Sequence, residues 1–304
     1  MERLTKKDYW NTVYLGTAPF QAKARATGQS GRSLKGWLKR TLGEYWRDYS
    51  DYLEWDVLYP TYLPNVSGLK IIEIGSAPGT NLVRHHKTFG YEPYGVEYAE
   101  AGANLNREEF SQHGLNPNNV IRADAFSEEF LTRYEGYFDL VLSRGFIEHF
   151  TEMDKVMNAH LRLLKPGGTL IVTIPKLTGA PNLLFRLFNP EVIPMHNLKI
   201  MNRRSFASLF RRKELKQQYC NDYGTFKVSV CGATQLSGVK ATVMNALMNV
   251  QLLLNMFFRA AFGKQGAESH WFSPYLIYIG TKEPSPHSKE ECPKRNERHC
   301  HSVN

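Results

Sequence analysis

The chain has 304 residues, 42% of them hydrophobic, with 15 prolines and 23 glycines. That is enough apolar material for a sizeable core, with no bias toward a fibre or a wholly disordered chain. Its 38 Lys and Arg against 29 Asp and Glu give a net charge of +9, which calls for an anionic partner or surface. In chain order, residues 1–62 carry Tyr9, Trp10, Trp37, Tyr45, Trp46, Tyr49, Tyr52 and Trp55 at spacings that predict helices capping a sheet edge. Strands are then predicted at Ile71 to Ile74, Tyr94 to Glu97, near Val120, Asp139 to Ser143 and Thr169 to Ile174. Helices alternate with them at Asn81 to Phe89, Ala101 to Gln112 and Thr151 to Leu164, the last stopped by Lys165-Pro-Gly-Gly168. Such alternation predicts an α/β fold, a mostly parallel sheet with helices on both faces.

A helix from Arg204 to Phe210, a sixth strand within Leu215 to Val230 and a closing strand from Tyr275 to Gly280 follow. The organisation reads as a helical cap over 1–62, a cofactor-binding core over 63–180, and a substrate loop, sixth strand and amphipathic insertion over 181–274. The closing strand (275–283) and a Pro-, Lys- and Glu-rich tail (284–304) complete it. Composition predicts no fixed structure for that tail, so its Cys292, His299, Cys300 and His301 are not expected to hold a metal, and none is expected elsewhere. The four cysteines, these two with Cys220 and Cys231, form no C-x-x-C pair and read as free thiols. The opening Met-Glu-Arg-Leu-Thr-Lys-Lys lacks the apolar stretch of a secretory signal, so a cytoplasmic location is the default.

The most informative stretch is Lys70-Ile-Ile-Glu-Ile-Gly-Ser-Ala-Pro-Gly-Thr-Asn81, a strand running through a glycine-rich turn into a helix. Gly75 permits the sharp turn, and Gly79 is expected to remove a Cβ that would collide with a ligand. Glu73 is a charge inside an apolar strand and needs a partner. The glycine spacing is not the dinucleotide G-x-G-x-x-G, which argues against NAD. Downstream, Glu97, Asp124 and Ser143 end successive strands. In an open parallel sheet those ends share the ligand-binding edge.

With these motifs in this order the chain resembles the class I S-adenosylmethionine-dependent methyltransferases, over residues 55–180 and the closing strand. The resemblance implies a Rossmann-like sheet whose last strand runs antiparallel, and S-adenosyl-L-methionine as cofactor. It places Gly75, Ser76 and Gly79 under the methionine part, Glu73 near its amino end, and Glu97 on the ribose hydroxyls. It also places Asp124 at the adenine amino group with Ala125 and Phe126 beside the ring, and Ser143 to His149 along the methionine and the substrate. The Ile147-Glu-His-Phe150 ending resembles small-molecule O-methyltransferases, including the polyprenyl quinone-precursor enzymes. An N-terminal helical cap closing over the cofactor is part of the same implication.

The catalytic candidates are His149, just past the fourth strand, His196 in a loop expected to fold over the acceptor, and Glu148, which would orient a histidine or act as the base. Their alternatives are helix capping and ordinary backbone hydrogen bonding. Tandem His85-His86 reads as surface. From Ala241 to Phe258 eighteen residues carry no charge. A helical wheel gathers Thr242, Asn245, Asn249, Gln251, Asn255 and Arg259 on one side and Val243, Ala246, Leu247, Val250, Leu253, Leu254 and Phe257 on the other. That pattern reads as a lid or dimer-interface helix, or as a membrane-interface helix, rather than a span.

Between Asp8 and Glu44 the only charges are basic: Lys23, Arg25, Arg32, Lys35, Lys39 and Arg40. Nucleic acid is disfavoured, because no RNA-binding module and no Asn/Asp-Pro-Pro-Tyr/Phe motif is present. The functional expectation is therefore methyl transfer to an oxygen, with nitrogen as second choice, of a small-molecule, glycan or lipid-like acceptor. A partner membrane surface is expected to contact residues 240–262. The alternatives are RNA or protein methylation using the basic patch, and a non-catalytic protein of the same fold.

Overall fold

The computed structural model describes residues 2–26, 47–231 and 236–284, with the backbone alone for 17–26. The basic patch, Trp37, Tyr45, Trp46 and all but the first residue of the 284–304 tail lie outside the described side chains. A helix α1 (Lys7–Ala26) comes first. It is followed by a helical run α2 (49–62), α-helical at Tyr49–Tyr52, π-type at Leu53–Leu58 and α-helical again at Tyr59–Tyr62.

The core then alternates β1 (Lys70–Ile74), α3 (Thr80–Phe89), β2 (Glu92–Glu97), α4 (Glu100–Gln112), β3 (Val120–Arg122), α5 (Glu128–Arg133), β4 (Phe138–Arg144), α6 (Met153–Leu163) and β5 (Leu164–Pro175). Helices α7 (Ala180–Phe188) and α8 (Arg203–Ser208), strand β6 (Leu215–Tyr223), the long α9 (Gly238–Phe262) and β7 (Tyr275–Lys282) complete it. The seven strands lie in the order β3-β2-β1-β4-β5-β7-β6. Only β7 is reversed, antiparallel to both β5 and β6, as the family resemblance implies for the last strand.

Successive side chains on a strand point to opposite faces, and the core divides accordingly. Ile72, Val141, Leu170 and Leu276 pack in one buried cluster, while Ile71, Leu142, Ile171 and Ile277 pack in the other. Both faces are covered, which is why β1, β4, β5 and β7 read as nearly unbroken apolar runs. Helix α6 stops at Leu163, just before Lys165-Pro-Gly-Gly168 as expected, but that stretch is not a turn ahead of the strand. It belongs to β5, whose register against β4 shifts between Phe138 and Leu140, a bulge that absorbs the proline and Gly167 at φ +77°. His85, expected at the surface, is fully buried among the rings of Trp55, Tyr59, Phe89 and Tyr91. It sits on the same face of α3 as Leu82 and Phe89, and burial pushes its pKa down to about 3, so it packs as a neutral ring.

Helix α9 inverts the usual rule. Its buried residues are Gln251 and Asn255, while Val239, Val243, Met248, Val250, Leu253, Phe257 and Phe262 are exposed. Gln251 Oε1 accepts from the Val228 N–H at 2.6 Å, Thr225 Oγ1 donates to Asn255 Oδ1 at 3.2 Å, and the Arg259 guanidinium lies over the Tyr52 ring at 4.2 Å. The docked stripe straddles the wheel's two sides: Gln251 and Asn255 are buried and Met244 and Leu247 pack against the core, whereas Thr242, Asn245 and Asn249 of the polar side are exposed. By length and composition α9 is apolar enough to cross a membrane, yet this stripe is engaged with the protein body.

Candidate active site

Strand order reverses between β1 and β4, and ligands bind beyond the carboxyl ends of strands at such a switch point. Ile74 lies in register with Ser143, so the Gly75 turn and the Arg144-Gly145 turn leave the sheet side by side. A cavity of about 220 Å³ opens there. From the strand ends come Gly75, Ala77, Glu97, Asp124, Ala125 and Phe126, and from the segment after β4 come Arg144, Phe146, His149 and Phe150.

Its roof is the N-terminal segment. Leu4 N–H donates to the His149 carbonyl at 2.8 Å, and Trp10 meets His149 edge-on with ring centroids 5.1 Å apart. The Tyr14 hydroxyl lies 3.5 Å from Glu97 Oε2. Trp10 and Tyr14 are thus the aromatics that close the cavity, whereas Trp55 and Tyr59 pack in the core. Arg3 pairs with Asp124 and lies over the rings of Tyr98, Phe126 and Phe150, a role no sequence motif announces.

Glu97 is 3% exposed, and its Oε1 accepts from the Ala99 N–H at 2.9 Å. Burial raises its pKa, with backbone N–H groups acting in opposition. Asp124 is half-exposed at the rim, where its Oδ1 accepts from the Phe126 N–H at 3.0 Å. Glu73 lies one residue behind the wall. Its Oε1 accepts from Asn81 Nδ2 at 3.2 Å, and its Oε2 has no partner. Burial pushes its pKa up to about 7, the Arg144 charge pulling the other way. Arg144 itself bonds Glu54 at 3.0 Å and Asn81 Oδ1 at 3.1 Å. Arg144 thus pairs directly with one buried carboxylate, Glu54, and reaches the other, Glu73, through Asn81 and through its charge; neither Glu54 nor Arg144 stands out in the sequence.

Four of the expected cofactor residues, Glu73, Ser76, Gly79 and Ser143, are not among those lining the cavity. Ser76 Oγ accepts from Asn106 Nδ2 at 2.6 Å, and Ser143 Oγ pairs with His160 Nε2 at 3.0 Å, so both hydroxyls serve packing. The space a Cβ would need at Gly79 (φ +94°) is filled by the Asn106 side chain at 2.2 Å, and at Gly75 (φ +74°) by the Phe146 ring at 2.7 Å. At both glycines a Cβ would meet protein atoms, and Gly75 also lines the cavity.

The three catalytic candidates come together. The His149 and His196 rings are 4.8 Å apart, and one potential ligand atom from each of Glu148, His149 and His196 lies within 4.8 Å of the others. His149 Nδ1 donates to the Met195 carbonyl at 2.9 Å and His196 Nδ1 to the Val192 carbonyl at 2.6 Å. In each ring Nε2 is thus left with its lone pair. Burial holds His149 down at about pKa 4 and lowers His196 as well, while it raises Glu148 to about 8. Glu148 is 1% exposed and neither carboxylate oxygen has a partner.

The residues present fit S-adenosylmethionine. A buried carboxylate at the end of β2 and an acceptor past the end of β3 with Phe126 beside it border one cavity, and a half-partnered Glu73 lies one residue behind its wall. A family model described as a methyltransferase domain matches residues 45–219. Among curated proteins, the ubiquinone/menaquinone biosynthesis C-methyltransferase of Vibrio parahaemolyticus is 27% identical over 107 residues, 34% of this chain and 40% of that protein. The match thus spans less than half the length of that relative. Among solved structures, geranyl diphosphate C-methyltransferase from Streptomyces coelicolor A3(2) superimposes with TM-score 0.52 at 15% identity, over 84% of this chain and 86% of that one. A geranyl diphosphate methyltransferase in complex with geranyl diphosphate and sinefungin gives TM-score 0.51 at 16% identity, over 76% and 77%.

Proposed function

Because the chain belongs to the methyltransferase-domain family, with a class I fold and S-adenosyl-L-methionine as cofactor, we propose that it transfers a methyl group to an oxygen of a small-molecule or amphiphilic acceptor. The observation that carries this reading is that one cavity joins the Gly75, Glu97 and Asp124 strand ends to the His149 wall.

The bound cofactor supplies an electrophilic methyl on sulfur that needs no further activation. The protein holds, orients and dries the reactants. Glu97 offers two carboxylate oxygens to a pair of hydroxyls, and Asp124 offers an acceptor at the rim. Glu73, nearly neutral where it stands, gains a reason to ionise when a cationic amine arrives. Trp10, Tyr14 and Arg3 roof the cavity and exclude water. The unprotonated imidazole of His149 makes the far wall suited to an acceptor that carries a proton on oxygen. The curated relative and the Streptomyces coelicolor structure are named for methylation at carbon, so the acceptor atom is the part of this reading that product analysis must decide.

The amphiphilic character of the acceptor rests on α9. Its outward face is a stripe of exposed Val, Leu, Met and Phe, and no acidic residue occurs between Asp222 and Glu268 while Lys227, Lys240, Arg259 and Lys264 do. An apolar face in basic surroundings suits an anionic lipid surface. In this reading the enzyme rests on the cytoplasmic face of a membrane and takes its acceptor from there.

Two measurements test the proposal. Calorimetry should show S-adenosylmethionine binding, and an absence of heat at millimolar cofactor would sink the assignment. Co-sedimentation should pellet the protein with phosphatidylglycerol vesicles and less with phosphatidylcholine. Failure to pellet, with a concentration-dependent dimer by analytical ultracentrifugation, would hand the α9 face to a second copy of the chain.

A further inference from the structure

We propose that Glu148, His149 and His196 form a binding site for a divalent transition-metal cation of the zinc class, at the acceptor end of the cavity. This rests on the methyltransferase reading and deepens it: with the cation bound, His149 serves as a ligand and the cation, in place of the free imidazole, receives and acidifies the acceptor's oxygen. Both imidazoles have Nδ1 fixed by a backbone carbonyl, Met195 for one and Val192 for the other. A second hydrogen bond of this kind is what orients a metal-ligating histidine and commits Nε2 to the cation.

The third member is a carboxylate 1% exposed with no hydrogen-bond partner on either oxygen. An unpartnered buried carboxyl is costly, and a cation is the strongest available remedy. The sequence places Glu148 and His149 side by side on a short turn, and the 190–197 loop delivers His196 from about fifty residues away. The Asn197 N–H donates to the Glu148 carbonyl at 2.6 Å and Asn197 Nδ2 to the Phe150 carbonyl at 2.9 Å. The two segments are thereby clamped to each other on both sides of the cluster.

Geometry permits the closure. Bonds of 2.0–2.2 Å to nitrogen and oxygen hold tetrahedral donors about 3.3 Å apart, and one potential ligand atom from each of the three side chains already lies within 4.8 Å of the others. Side-chain rotation of roughly 1.5 Å brings the donors in. Two imidazoles and one carboxylate match the ligand set of an open, three-protein-ligand zinc site, with a coordination position left for water or substrate. His149 lines the cavity, which puts that position at the acceptor end. The acceptor class that fits is one with an oxygen able to bind the cation: a phenol, an enol or a carboxylate.

The test uses the full-length protein, stripped with a chelator, dialysed and titrated with Zn²⁺ by calorimetry and with Co²⁺ by visible absorption. One equivalent per chain and a four- or five-coordinate Co²⁺ spectrum are expected. Glu148→Gln and His196→Asn should each weaken Zn²⁺ binding by roughly tenfold or more. Both should leave S-adenosylmethionine binding unchanged, since neither residue lines the cavity wall. A wild-type chain that takes up no cation overturns the site. So do variants that bind as tightly as wild type, which would assign the uptake to other donors such as Cys292, His299, Cys300 and His301. Cofactor binding is read in the same samples. Failure there breaks the methyltransferase reading, and failure of metal uptake alone breaks only this one.

Discussion

The two ends of the cavity are built differently. The cofactor end is assembled from strand ends that follow one another in sequence: Gly75 after β1, Glu97 at the end of β2, Asp124 just past β3. The acceptor end is assembled from three remote pieces, the Arg3 to Tyr14 segment, the 145–150 turn and the 190–197 loop. At the first end a side chain's place follows from sheet periodicity and one crossover rule, so composition and order suffice. At the second it follows from which loops touch, and the chemistry emerges only when they do. Helix α9 repeats the lesson within one element, since its sequence shows two faces and the docked stripe straddles both.

The largest expected effect breaks the cofactor end. Glu97→Ala removes a buried charged acceptor, and at roughly 1.5–3 kcal/mol for each charge-assisted hydrogen bond lost it should weaken S-adenosylmethionine by about a hundredfold or more in calorimetry. A loss under threefold would show that Glu97 is structural.

Comparable in size is the stability change carried by Glu73. Its pKa is about 7 in the folded protein against an ordinary 4.5, so the folded state keeps a proton that the unfolded state gives up at lower pH. Stability from this group is fully present below pH 4.5, falls as pH rises through 7, and is flat above. The fall amounts to at most about 3 kcal/mol. Denaturation of wild type and Glu73→Gln across pH 5 to 8 should differ by this fall, because Glu148 and the buried histidines contribute equally to both proteins, and equal slopes would reject the raised pKa.

Helix α9 gives smaller and opposite effects on its two faces. Gln251→Ala strands the buried Val228 N–H and should cost about 1–3 kcal/mol, although it makes the helix more apolar. Leu253→Glu on the exposed face should change stability by under about 0.5 kcal/mol while reducing vesicle pelleting. If the two variants behave alike in thermal denaturation, the inverted docking of α9 is wrong.

Much of the core was legible. The apolar runs of β1, β4, β5 and β7 and the acidic residues Glu97 and Asp124 at strand ends are read directly from the chain, whereas the reversal of β7 came from the family resemblance. The reasons for the glycines were less legible, because what fills the missing Cβ at Gly79 is Asn106 and at Gly75 is Phe146, contacts made across the fold. Ser76 and Ser143 looked like cofactor residues for the same reason: a hydroxyl at a strand end reads alike whether it faces a ligand or a buried Asn106 or His160. His85 shows the complementary error, since a histidine beside another histidine on a helix reads as polar until its face is known. Arg144 and Glu54 carried no signal at all, since an arginine and a glutamate at ordinary positions pair only through the docking of α2 against the sheet.

The sequence by itself determined the alternation of strands and helices, the glycine turn and the order of acidic strand ends. Periodicity, chain order and the handedness of crossovers act over short stretches and need no partner. Tertiary structure alone decided that Trp10 and Tyr14 roof the cavity, that α9 docks by its amides, and that Glu148, His149 and His196 converge. Each of these depends on contacts between segments tens to hundreds of residues apart, and such contacts are set by how whole faces fit together and not by any local pattern.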